Sequence, residues 1–248
     1  MPIDSPEISL VIPAYNEEKR IRPSLEEVAR FCSIFGRETE VLIVDDGSRD
    51  NTAHLVRDFI ATHPEGARFE LLHYDKNRGK GFAVAQGLRK SRGKFVAFSD
   101  TDLSAPIDQL PLLIQGLESG ADIAIASRRL PASKVVGLPY SRQLMGKFFA
   151  LLSRLLVLPG FSDTQCGFKA YRREIAYKLA ELQKIDGYTF DVEHLLLARR
   201  MSLRVVEIPV TWIFSEGSQI NGIRDSLKML RDLMAIPGLH PDKPDSDN

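Results

Sequence analysis

Lys94-Phe95-Val96-Ala97-Phe98-Ser99-Asp100-Thr101-Asp102 is an apolar run that stops at two acids one residue apart. Its core, rich in Phe and Val and bounded by polar residues, reads as a short buried β-strand. A strand ending in D-x-D aims two hard carboxylate oxygens at one point, and a divalent cation held by few protein ligands keeps positions open for phosphates. On its own the same motif also fits a strand that simply ends in a polar turn. The rest of the chain decides between these readings.

Similar runs recur at Ile8–Ile12, Val41–Val44, Phe69–Leu72 and Ile123–Ala126. Between the runs, roughly 23–35, 52–62, 81–90 and 107–118 carry apolar residues at helical spacing, as in Leu55, Val56, Phe59 and Ile60. Strands alternating with amphipathic helices predict an α/β fold, a mostly parallel sheet with helices on both faces. Ligands of such sheets bind outside the carboxyl ends of the strands. The polar motifs fall there: Pro13-Ala-Tyr15-Asn16-Glu17 after the first run, Asp45-Asp46-Gly47-Ser48-Arg49-Asp50-Asn51-Thr52 after the second, and the D-x-D after the fourth.

Cap and turn preferences account for Gly47, Ser48, Asp50 and Asn51. Asp45, directly at a strand end, suits a hydrogen bond to a base or ribose. Asn77-Arg78-Gly79-Lys80-Gly81 is a glycine-bearing loop before a helix, suited to phosphate or ribose through backbone N–H groups and the Lys80 ammonium. Val84 stands where the third glycine of a dinucleotide fingerprint belongs, and no P-loop motif occurs.

With 248 residues, 44% of them hydrophobic, the chain can bury a core as one domain, expected over residues 1–236 with a polar, disordered tail at 237–248. Lys plus Arg equals Asp plus Glu at 33 each, so no global positive charge points to nucleic acid. Two distant cysteines, Cys32 and Cys166, make neither a zinc cluster nor a disulfide framework and suit a reducing cytoplasm. The N-terminus carries no secretory pattern, and no stretch reaches the ~20 apolar residues of a membrane span.

Val11–Glu17, Val44–Thr52, Asn77–Gly81 and Asp100–Leu103, in this order, resemble the family 2 glycosyltransferases of GT-A (Rossmann-like) fold. Ser127-Arg128, Asp163–Lys169, Phe190–Glu193 and Glu207–Trp212 resemble the branch that glucosylates or mannosylates dolichyl and other polyprenyl phosphates. The likeness spans about residues 8 to 236. It implies that Pro13, Tyr15, Glu17, Ile43 and Asp45 hold the nucleoside, with Lys80, Asp100 and Thr101 completing the nucleotide-sugar site. It further implies that Asp100 and Asp102 ligate Mg2+ or Mn2+, and that Arg128 and Arg142 meet phosphates as catalytic cations beside Asp102. Two positions depart from the pattern: Ser104 replaces a glutamine ligand, and Gln219 replaces a lysine.

An inverting hexosyl transfer, with UDP-glucose as donor, is the activity this resemblance implies. GDP-mannose, a saccharide hydroxyl acceptor and non-catalytic nucleotide binding are the alternatives. A hydroxyl acceptor needs a general base, whereas a lipid phosphate arrives as an oxyanion and needs orientation from Arg128, Arg142 or Lys169. Asp191 and Glu193, two apart on an expected helix, do not share a face and so do not converge on one proton. Residues 141–158 and 223–236 read as amphipathic helices suited to a bilayer interface. The expected enzyme therefore sits peripherally on the cytoplasmic face of a membrane, with room for an integral membrane partner.

Overall fold

The computed structural model describes residues 5–63, 67–140, 160–215 and 222–241, with the side chains of its last helix from residue 227 onward. The five expected strands are present as β1 (Ile8–Ala14), β2 (Thr39–Asp45), β3 (Arg68–His73), β4 (Phe95–Ser99) and β5 (Ile123–Ser127). They alternate with α1 (Ile21–Phe35), α2 (Thr52–Thr62), α3 (Lys80–Lys90) and, after a 3-10 turn at Ile107–Gln109, α4 (Leu110–Glu118). Four more strands follow: β6 (Lys134–Val136), β7 (Phe168–Arg172), β8 (Val205–Pro209) and β9 (Thr211–Ile213). The remaining described helices are α5 (Arg173–Leu182), α6 (Phe190–Arg200) and α7 (Gly222–Leu239).

The main sheet runs β3-β2-β1-β4-β7-β5-β8. Its pairings are parallel except where β7 lies antiparallel between β4 and β5. Side-chain alternation along the strands feeds two cores. Leu10, Ile12, Ile43 and Ala97 pack under α1, α2 and α4, through Leu25, Phe59 and Leu113 among others. Val11, Val44, Phe98 and Tyr171 pack under α3, α5, α6 and α7, through Val84, Leu179, Leu195 and Leu233. Strands covered on both faces read as continuous apolar runs rather than alternating ones, which is why β1 to β5 are visible in sequence.

The strand β7 contains Lys169, fully buried, and so lacks an apolar run. A lysine is tolerated there because Asp191 of α6 meets it at 2.5 Å and the Cys166 carbonyl accepts from it at 2.7 Å. β6 and β9 form a separate two-stranded parallel ribbon beside the ligand edge.

The expected boundary at residue 236 falls short. α7 continues through Pro237 to Leu239, its last turns anchored by buried Leu233 and Ile236, and His240 then meets the Glu193 carboxylate at 2.6 Å. The amphipathic segment at 141–158, with Arg142, and Gln219 lie outside the described residues. Among the described residues no helix is long and apolar enough to cross a membrane, and both cysteines are free and buried.

Candidate active site

The carboxyl ends of β1, β2, β4 and β5 and the entry to β7 come together along one edge. After β1 the chain turns through Asn16, at φ 52°. That turn is stitched to the loop after β2: the Asn16 N–H donates to Ser48 Oγ at 2.9 Å, and the Asn16 side chain accepts from the Arg49 N–H at 2.9 Å. The Glu17 N–H likewise donates to Thr52 Oγ1 at 2.7 Å. These bonds hold Tyr15 and Glu17 half-exposed beside the D-x-D. The Glu17 carboxylate takes a two-pronged bond from Arg20, at 2.7 and 2.8 Å. Burial raises the Glu17 pKa, Asp102 and Asp100 nearby raise it further, and Arg20 only partly offsets them.

Asp45 is fully buried and pairs with His73 Nδ1 at 2.7 Å and with the Ser48 hydroxyl. The side chain expected to face a base is therefore turned into the loop. Its neighbour Asp46 accepts from the Arg78 N–H at 2.8 Å, the Gly79 N–H at 2.7 Å and the Asn77 amide at 2.8 Å. The glycine-bearing loop is thus clamped to β2. Gly79 adopts φ 118°, and a Cβ there would stand 2.4 Å from the Asp186 carbonyl oxygen, so only glycine serves.

Thr101, between the two acids, is buried and donates its hydroxyl to the Pro13 carbonyl at 2.6 Å. It fastens the motif to β1, a bond that uses the one proton of its hydroxyl. Pro13 and Ile43, also expected near the nucleoside, are buried within β1 and β2. These side chains frame the edge rather than line it. Asp102 Oδ1 accepts from the Ser104 N–H at 3.0 Å, and Leu103 between them takes the left-handed φ of 46°, uncommon for a branched apolar residue. Ser104, which stands in the place of a glutamine ligand, is buried, and its carbonyl accepts from the Ile213 N–H at 2.7 Å.

Lys80, at the start of α3, places Nζ 2.5 Å from Asp100 Oδ1. The contact is an ion pair, and Asp100 Oδ1 is buried beside the ammonium. Burial works against the ammonium, but Asp100 and Asp191 outweigh it and keep the lysine charged. Behind them Asp191 meets Lys169, so positive and negative groups alternate inward from the edge. Burial raises the Asp191 pKa, while Lys169 and Lys80 pull it down. Glu193, on another side of α6, accepts from the Lys184 and Ile185 N–H groups at 2.7 and 3.0 Å. Both acids are buried and engaged within the protein, and the two diverge as their spacing predicts.

Across the edge, Arg128 follows β5. Its Nε and Nη2 donate to Asp163 at 2.6 and 2.9 Å, and its guanidinium sits 5.6 Å over the Trp212 ring. Burial opposes the guanidinium charge, yet Asp163 outweighs it; conversely Arg128 holds the Asp163 carboxyl far below the usual range despite burial. Glu207 of β8 fixes this pair by accepting from the Ser162 and Asp163 N–H groups at 2.9 and 3.0 Å. Sequence reading placed Arg128 but missed its partner Asp163. The acid at the head of Asp163-Thr-Gln-Cys-Gly-Phe-Lys169 was the available signal. Lys169, expected to screen an acceptor, is instead consumed inside the sheet.

A mostly parallel sheet with one antiparallel strand, presenting a D-x-D at its carboxyl edge, is the GT-A arrangement. With its residues 9–180 matching the model for glycosyl transferase family 2, the chain belongs to that family of sugar-transferring enzymes. It is 31% identical over 246 residues to dolichyl-phosphate beta-glucosyltransferase of Dictyostelium discoideum, covering 95% of this chain and 75% of that protein. The proteins of that name from Saccharomyces cerevisiae and Homo sapiens are 33% and 32% identical, covering 92% and 94% of this chain and 73% and 76% of theirs. Among solved structures, glucosyl-3-phosphoglycerate synthase from Mycobacterium tuberculosis with Mn2+ and UDP-glucose matches at TM-score 0.66 and 21% identity. It covers 97% of this chain and 81% of that one.

Proposed function

We propose that the protein transfers glucose, with inversion, from UDP-glucose to a dolichyl or other polyprenyl phosphate, working peripherally at the cytoplasmic face of a membrane. The observation that carries this reading is a layout of charge: a D-x-D at the carboxyl edge of the sheet, whose Asp100 lies within electrostatic reach of a guanidinium that Asp163 holds in place. The relatives' shared name supports the sugar, the lipid phosphate and the β product.

Among the described residues no three His, Cys, Asp or Glu side chains form a ready cation cage. Asp100 and Asp102 nevertheless fit Mg2+ or Mn2+. They are hard donors, Asp100 Oδ1 is buried with only Lys80 beside it, and cations of this kind complete their shell with substrate phosphates. When bound, such a cation would stabilise charge on the departing diphosphate.

The chain's own residues supply the rest. Tyr15 and Glu17 border the nucleoside end, held by the Ser48 and Thr52 bonds. Lys80 adds a fixed positive charge beside Asp100. Arg128 offers one arm of its guanidinium to a phosphate while Asp163 retains the others. No general base is required, because a lipid phosphate attacks as an oxyanion already. The buried engagements of Asp191 and Glu193 weigh against a hydroxyl acceptor.

The test is transfer of radiolabelled glucose from UDP-glucose to a short polyprenyl phosphate, scored as chloroform-soluble product. Asp102→Ala should lower the rate about 1,000-fold, some 4 kcal/mol of transition-state stabilisation, while the circular dichroism spectrum is unchanged. No lipid product with any common donor, or full activity in a chelator, would sink the proposal.

A further inference from the structure

We propose that Gly167, at the entry to β7, is a positioning residue for Asp100. The proposal rests on the reading of Asp100 as a metal holder. The Asp100 N–H donates to the Gly167 carbonyl at 3.1 Å, so the two backbones are fastened together across the sheet edge. A Cβ built on Gly167 would stand 2.0 Å from Asp100 Oδ2 and 2.5 Å from its Cγ, far inside any tolerable contact. Gly167 does not have the left-handed φ that would call for glycine on backbone grounds, in contrast to Gly79 and Gly47. The space is therefore reserved for the carboxylate.

The consequence for a substitution is unusual. The colliding atoms are those of the carboxylate, paired with Lys80 but on a side chain 36% exposed, so Asp100 can rotate away and leave the sheet intact. It is then no longer where Lys80 meets it, nor beside Asp102. Loss of an outer support of this kind lowers metal affinity without unfolding the protein. The same segment also supplies Asp163 to Arg128 and Lys169 to Asp191, so one seven-residue stretch meets three charged groups, Asp100, Arg128 and Asp191.

The experiment uses the full chain with Mn2+ as probe, titrated by electron paramagnetic resonance in the presence of UDP, beside melting temperatures. Gly167→Ala should bind Mn2+ about tenfold or more weakly, with Tm within about 3 °C of the parent. Unchanged Mn2+ affinity overturns the proposal. Asp100→Ala and Asp100→Ala/Gly167→Ala complete a cycle that isolates the contact. Removing the carboxylate removes the collision, so adding Gly167→Ala to Asp100→Ala should change neither Tm nor residual Mn2+ binding. A further fall in Tm equal to that of Gly167→Ala alone places the fault in the backbone and overturns the proposal, even if the single variant folds poorly. Undiminished Mn2+ binding by Asp100→Ala would instead defeat the underlying metal reading, while the melting temperatures still decide the steric coupling.

Discussion

The two sides of the ligand edge are built differently. On the β1–β2 side, hydroxyls, amides and backbone groups join the loops, Ser48 to Asn16, Thr52 to Glu17 and Thr101 to Pro13, beside the carboxylates of Asp45 and Asp46, which bind within the same loops. On the β7–β5 side, order comes from buried ion pairs, Lys169 with Asp191 and Arg128 with Asp163. Neutral bonds can be lost one at a time for about 1 kcal/mol each, whereas stripping one partner from a buried ion pair strands a charge. Losing a neutral bond on the first side should therefore cost little, and losing one partner of a buried ion pair on the second should cost much.

The largest effect is expected at Lys169, where both partners are almost inaccessible. Lys169→Met leaves Asp191 without its counter-charge and should cost about 3–5 kcal/mol in urea unfolding. Because burial already raises the Asp191 pKa, the folded variant favours the protonated acid. Its stability should fall as pH rises from the ordinary carboxylate value through the raised one, making it more stable at pH 5 than at pH 7. Lys169→Met/Asp191→Leu should recover most of the loss; failure to do so would show that the pair is not the source.

A smaller effect belongs to Asp163, since the Arg128 side chain is 25% exposed and water can soften its isolation. Asp163→Ala should cost about 2–3 kcal/mol. The depressed Asp163 pKa means that its stabilisation is complete above about pH 4 and is lost as pH falls through the lower folded value. Asp163→Asn should flatten that part of the acid unfolding curve. An unaltered curve would remove Asp163 from the account. The smallest effect is Thr101→Val, about 1 kcal/mol by urea unfolding, with less than about a tenfold change in transfer. A loss there as large as at Lys169 would erase the distinction between the two sides.

The same contrast explains how far the sequence could be read. Strands β1 to β5 are apolar runs covered on both faces, and their limits fall within a few residues of those expected. β7 does not stand out in the sequence as a strand, because Phe168-Lys-Ala-Tyr-Arg172 interrupts its apolar pattern with a charge whose partner lies on α6. The D-x-D was legible since both acids are adjacent in the chain. Asp163 and Gly167 were not legible as supports, because each acts on a residue brought to it only by the antiparallel insertion of β7. Asp45 shows the converse. Its place at a strand end was read correctly, but the orientation of its side chain was decided by His73 and Ser48.

The antiparallel wedge also has a bearing on how the chain matures at the ribosome. β3, β2, β1 and β4 can assemble from what is synthesised first, yet β4 and β5, successive in the main sheet's chain order, are joined in the sheet through β7. Until residues 163–172 emerge, the acids at 100 and 102 exist on a half-built platform whose exposed flank awaits a partner. On the proposed reading, competence to hold a cation would thus be acquired late in biogenesis, and a nascent polypeptide stalled before that point would own the signature motif without its seat.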